Sequence, residues 1–315
     1  MLQEQPSLLE TVGPLALTMA TTYFGTLDAV KFLIEQGVDQ LYDTQTSIPR
    51  KHTHEPISGA FEYGNFETLR TLFAAGITDA AFADLPWIAW PHKTTLLHMS
   101  IYRPRSFAEF ALEHGADLEE PLPNGERGAT VLQAAVAPPD APGYLSERWA
   151  MGMRFADFLL DRGAYYDIFS ACGRGDIERV QALAGEEPGL ITRRGNAAMT
   201  PLHWAVRGNA LPCAEWLLSK GADLDAVTET QRTPKHIAAE WNLGEMLWLL
   251  ADYGAHLDAA DLKGRTPLHR ATYIGQAETA EILIVLGADI DRQNNRGKTP
   301  LDIARKACGY LRPYA

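Results

Sequence analysis

Apolar residues in this chain fall into short stripes at helical spacing, and the stripes come in pairs. In TPLHRATYIGQAETAEILIVLGADIDR, Leu268, Ala271 and Thr272 stand at i, i+3 and i+4. After a Gly-Gln break, Ala280, Leu283, Ile284 and Leu286 follow at helical spacing too. That periodicity predicts two short amphipathic helices running antiparallel. Threonine before proline suits the start of the first, because the hydroxyl caps free N–H groups and proline occupies a first-turn position that needs no donor. Gly287 follows the second, where a residue able to take positive φ ends a helix at little cost.

The unit repeats. Thr200-Pro201, Thr233-Pro234, Thr266-Pro267 and Thr299-Pro300 stand 33 residues apart, and they open TPLHWAV, TPKHIAA, TPLHRAT and TPLDIAR. The first three units carry a second stripe ending in a glycine, at Gly221, Gly254 and Gly287. Upstream the pattern decays but persists. Thr95 opens TLLHMS with FALEHGADLEE after it, and Thr130 opens TVLQAA, completed by FADFLLDRGA at Gly163. Asp167 opens a divergent unit whose preceding turn is shortened, while Glu55 and Leu15 begin units ending at Gly76 and Gly37.

A 33-residue period with Thr-Pro-Leu-His-x-Ala resembles the ankyrin repeat. The resemblance implies an all-α solenoid of about eight helix-turn-helix repeats plus a C-terminal partial one, in which each unit buries its apolar faces only by stacking on neighbours. It covers 1–315 as one array: 1–166 divergent with insertions at about 38–54, 77–94 and 137–152, 167–199 divergent, and 200–315 regular with a cap. The 137–152 insertion is too rich in proline at its start to continue a first helix. Asp302, Arg305 and Lys306 in the last unit fit a cap with water on one side.

Composition changes this picture little. With 46% hydrophobic residues there is material for a core throughout, and a net charge of -12 opposes attraction to nucleic-acid phosphates or acidic lipid. Cys172, Cys213 and Cys308 are three and far apart, which suits reduced thiols and a reducing compartment. The N-terminal stretch lacks a basic start and no run of about 18 apolar residues occurs. The expectation is a soluble, cytoplasmic monomer that binds neither nucleic acid nor membrane.

The chemistry of catalysis is not visible. No Gly-x-Ser-x-Gly elbow, phosphate-binding glycine loop or dinucleotide fingerprint is present, and Asp223, Asp225, Asp258, Asp289 and Asp291 recur as turn residues. His98, His203, His236 and His269 recur at one repeat position, which argues for packing; the resemblance implies a buried tether between neighbouring loops. His52, His54 and His92 break the repeat rule and are the only residues that suggest a metal, without a spacing motif to fix it. No cofactor, catalytic residue or metal ligand is assigned.

Binding residues are sought where the resemblance places the concave face, at the finger tips and roughly seven residues beyond each threonine. Tyr23, Tyr63, Tyr102, Arg103, Arg174, Arg207, Trp241 and Tyr273 stand there, a mixture common at interface hot spots. The C-terminal fingers add Arg232, Lys263, Arg265, Arg296 and Lys298, a basic row suited to an acidic segment of a partner protein. Trp87 and Trp90 either pack an enlarged finger or meet a partner; Trp204, Trp216 and Trp248 are expected in helix packing. A protein-binding scaffold, whether serving its own cell or acting between organisms, is the leading expectation. A small-molecule-binding or metal-dependent enzymatic variant, with a pocket walled by the insertions, is the alternative.

Overall fold

The computed structural model describes residues 27–35, 60, 66–75, 96–119, 129–137 and 145–310, and two compact units divide the chain, 1–124 and 125–315. In the first, α1 (Leu27–Glu35) packs on α2 (Phe66–Ala74), and α3 (Leu96–Met99), continued by a tighter turn over Ser100–Tyr102, packs on α4 (Arg105–Glu113). Phe66 meets Phe107 at 5.1 Å and Phe110 at 5.9 Å, and Phe73 meets Phe110 at 4.8 Å, joining α2 to α4 by tilted and edge-on rings.

The second unit contains α5 (Val131–Val136), α6 (Leu145–Asp161), α7 (Ile168–Arg174), α8 (Ile177–Glu186), α9 (Pro201–Arg207), α10 (Leu211–Ser219), α11 (Pro234–Glu240), α12 (Gly244–Asp252), α13 (Pro267–Ile274), α14 (Ala277–Val285) and α15 (Pro300–Tyr310). Odd-numbered helices stack successively in one row, and α8, α10, α12 and α14 form a second row. Every described element is helical or irregular, with no strand among the described residues. This is the all-α repeat architecture that the 33-residue period predicts.

Local chemistry explains the helix lengths. Thr200, Thr233 and Thr266 are N-caps with proline directly after them. Left-handed residues end these helices within two turns, Gly275 at φ 89° but Asn209 at 51° and Asn242 at 55°, asparagine being the side chain that best tolerates that region. The core runs between the rows, through Leu202, Leu217, Ala238, Leu247, Leu250, Leu268 and Leu283, all buried.

Between successive helix pairs, hairpin fingers project. Gly195 donates to Met199 at 2.9 Å, Thr228 to Arg232 at 3.0 Å, Asp261 to Arg265 at 2.9 Å and Asn294 to Lys298 at 2.9 Å, each through main-chain N–H and carbonyl. Adjacent fingers are also joined: Glu229 N–H donates to Ala197 at 2.9 Å, Leu262 to Thr230 at 3.2 Å and Asn295 to Lys263 at 3.1 Å. Before Asp167 the chain passes from Gly163 to the next N-cap with no room for such a finger. The gap is bridged instead. Gln133 donates to Asp167 and accepts from Asn196 Nδ2 at 2.8 Å, across 63 residues.

The structure refines two expectations. The 137–152 insertion is not irregular to its end, since α6 begins at Leu145 and adds helix N-terminal to the stretch expected to follow the insertion. Gly152 makes that possible: an added Cβ would lie 2.3 Å from the Ala135 carbonyl oxygen, so α5 and α6 approach backbone to backbone. Trp248, expected in packing, is 42% exposed on α12, whereas Trp204 is buried. Among the described residues no helix is long and apolar enough to cross a membrane.

Candidate functional site

Three of the recurrent histidines, His203, His236 and His269, form one bonded row in the second unit, while His98 is buried in the first. Thr200 N–H donates to His203 Nδ1 at 3.1 Å, so the proton of the neutral ring is assigned to Nε2, which donates to the Arg232 carbonyl at 3.1 Å. His236 repeats this with Thr233 and the Arg265 carbonyl at 2.9 Å, and His269 with Thr266 and the Lys298 carbonyl at 2.9 Å. Each ring therefore caps its own helix and holds the next finger. Burial disfavours the imidazolium and pushes His203 and His236 down to about 4, and lowers His269 as well. These rings are structural tethers, as the resemblance implies.

The finger that His203 fixes at 228–232 and the preceding finger at 195–199, together with the C-terminal ends of α9 and α11, enclose a cleft of about 340 Å³. Arg207 and Trp241 line it from the helix ends and Arg232 from the finger, three of the residues singled out in the sequence meeting at one place. Met199 and Ile237 supply apolar surface; Glu229 and Glu240 bring negative charge. Glu240 accepts from Arg232 Nη1 at 3.3 Å and also pairs with Arg270, which is buried. Sequence reading missed Arg270 and Glu240, because both lie inside helices at positions whose partners only stacking reveals.

The remaining predicted residues are dispersed. Tyr273 is 63% exposed at the end of α13, and Lys263 is exposed on its finger. Arg265 is turned inward onto Asp261 at 2.7 Å, with three further Asp261 contacts to that loop. The basic row is thus split: Arg232 and Arg265 hold internal carboxylates, while Lys263, Arg296 and Lys298 face solvent. Arg174 reaches Asp157 on α6 at 2.7 Å. Tyr102 and Arg103 lie half-buried in the first unit; Tyr63, Tyr23, Trp87, Trp90, His52, His54 and His92 lie outside the described residues.

A second groove, of about 540 Å³, lies between α2 and α4, lined by Phe66, Phe73, Phe110 and His114 with Arg70 and Glu113 at its margin. Among the described residues no group of three His, Cys, Asp or Glu side chains could hold a metal ion. Cys172 and Cys213 are buried free thiols, both pushed up by burial, Cys213 to about 11. Such thiols pack as apolar groups and are poor nucleophiles.

Residues 168–261 match a family model described as ankyrin repeats (3 copies), and residues 249–304 match one described as ankyrin repeats (many copies). The chain has no match among curated proteins. Repeats of this kind are generally protein-interaction modules and are typically non-catalytic.

Proposed function

Since this is an ankyrin-repeat protein whose residues 168–304 carry the family's repeats, we propose that it works as a protein-interaction scaffold, gripping a partner on the concave side of its second unit without catalysing a reaction. The observation that carries this reading is the cleft in which Arg207, Arg232 and Trp241 converge between two bonded fingers. Tyr273, Lys263 and Arg296, exposed farther toward the C-terminus, would extend that surface. Fingers locked to each other and to the histidine row lose little freedom on binding, so contacts made there are not offset by ordering cost. The cations favour an acidic partner, and a chain of net charge -12 disfavours nucleic acid and anionic lipid.

The test uses the purified chain and a Trp241→Ala/Tyr273→Ala variant as baits in a lysate of the source cell, with mass spectrometry of what is retained. Capture of a protein by the wild type and its loss with the variant is expected. Equal capture by both, or capture by neither, removes the concave face as the binding surface.

A further inference from the structure

The charges in the cleft and directly behind it say what kind of segment it holds, an inference that rests on the scaffold reading above. Glu240, with 18% of its side chain exposed, lies between two guanidiniums, Arg232 and Arg270. Asp261 is committed to Arg265. Three arginines therefore share two carboxylates, and the Nε atoms of Arg232 and Arg270 are buried with no acceptor. Of these five groups only Arg232 and Glu240 line the cleft, with Arg207 and, exposed at the rim, Glu229; the lining carries two charges of each sign, and the excess cation belongs to the buried cluster behind Arg232. The surplus positive charge borders an apolar surface of Met199, Ile237 and Trp241.

We propose that this cleft binds an extended protein segment in which a carboxylate side chain stands beside an apolar one, the carboxylate pairing with Arg232 and Arg207 and the apolar side chain lying on Trp241. A guanidinium offers parallel donors that match a carboxylate, and in a partly dehydrated cleft such a pair is directional as well as attractive. A single negative charge fits the surplus. A phosphate, nearly doubly charged, would meet both Glu229 and Glu240 and is disfavoured at the same position. Glu240 acts in this scheme as an internal competitor that occupies Arg232 until a partner carboxylate joins it.

The side chain of Arg232 can be changed without dismantling the finger, because the bonds that hold its backbone run from His203 Nε2 and Thr228 N–H to its carbonyl. Selection of a random twelve-residue phage library on the full chain supplies the probe. The most enriched peptide and its Asp/Glu→amide counterpart are then titrated by fluorescence polarisation against wild type, Arg232→Gln, Arg207→Gln, Glu240→Gln and Trp241→Ala, with thermal unfolding of each variant as the folding check. The expected result is an acid next to an apolar residue among enriched peptides and about tenfold weaker binding of the amide peptide to wild type. That difference shrinks in Arg232→Gln, and Glu240→Gln binds the acidic peptide more tightly. Enriched peptides that need Trp241 but lack an acid, or an acid whose replacement costs the same in wild type and in Arg232→Gln, overturn the proposal and leave the scaffold reading standing. Peptides indifferent to every variant, or no enrichment, overturn both.

Discussion

Lys235 occupies the position that Leu202 and Leu268 hold in neighbouring units, and it is as buried as they are. Its ammonium donates to the Ala255 carbonyl at 2.7 Å, yet burial still lowers it to about 8 against the partial support of Asp225 and Asp258. Replacing a buried ion by an apolar residue of similar size is commonly neutral or stabilising. Lys235→Leu is accordingly expected to raise stability at pH 7 by about 1 kcal/mol, the lost bond to Ala255 offsetting part of the gain. The sign of the pH dependence follows from the lowered value: between about 8 and 10.5 the unfolded lysine binds a proton that the folded one has released, so the wild type gains stability there. Urea unfolding at pH 7 and pH 10 should show the variant's advantage shrinking, and an advantage that grows with pH would contradict this account. The histidines move stability in the acid range. His203 and His236 are neutral in the fold down to about 4 but charge near 6.5 when unfolded, so their contribution is complete above 6.5 and is lost as pH falls toward 4. The slope is about 1.4 kcal/mol per pH unit for each ring. His236→Asn, an acceptor for Thr233 without the reach to Arg265, should flatten that slope while lowering stability at pH 7, as read from urea midpoints between pH 4 and 7. The last unit shows the same logic already in use: Asp302 accepts from Thr299 N–H at 3.2 Å, keeping the cap half of the histidine's task where no further finger follows among the described residues.

At the scale of the element, the fingers carry the argument. Each of the last three closes over a left-handed residue, which is Gly264 at φ 70° and Gly297 at 64° in the last two but Gln231 at 58° in the 228–232 finger. A side chain in that region costs about 1 kcal/mol or more. Gln231 is exposed, so Gln231→Gly removes the strain without loss of packing and should stabilise by about 0.5 kcal/mol after the greater freedom of glycine in the unfolded chain is counted. Gly264→Ala should do the reverse and by more, since its Cβ would also lie 2.3 Å from Asn295 Oδ1; thermal unfolding of the two variants checks both signs. The period, the Thr-Pro starts, the closing glycines and the shortened turn before Asp167 were all legible in the sequence, because each rests on a local backbone preference. What was not legible depends on neighbours. Arg232 and Arg265 read as a basic row until stacking sets Glu240 and Asp261 against them, and Trp248 reads as packing until the second row leaves it partly uncovered. The candidate site followed the same division: repeat position marked Arg207, Arg232 and Trp241, and only geometry set Glu240 against Arg232.

Over the whole of the second unit, contacts join each repeat to the next and reach little further. Stability in such an array is close to a sum of unit and neighbour contributions, so damage should stay near its source. Leu217 tests this, being fully buried on α10. Leu217→Ala is expected to cost about 2–5 kcal/mol through lost transfer energy and an unfilled cavity. In hydrogen exchange the loss of protection should concentrate in residues 200–252, the damaged repeat and its successor, while α5 and α6 keep most of theirs; a uniform loss from 145 to 310 would instead show one cooperative block. Function should follow the same locality, because the cleft is assembled from α9, α11 and the fingers at 195–199 and 228–232, two consecutive repeats and no others. A peptide selected on the wild type should therefore bind Leu217→Ala more weakly than an equally destabilised variant in a distant repeat, such as Leu159→Ala on α6, although both chains retain most of their helix by circular dichroism. Equal losses in the two variants would mean that binding senses global rather than local stability, and would separate the cleft from the repeats that build it.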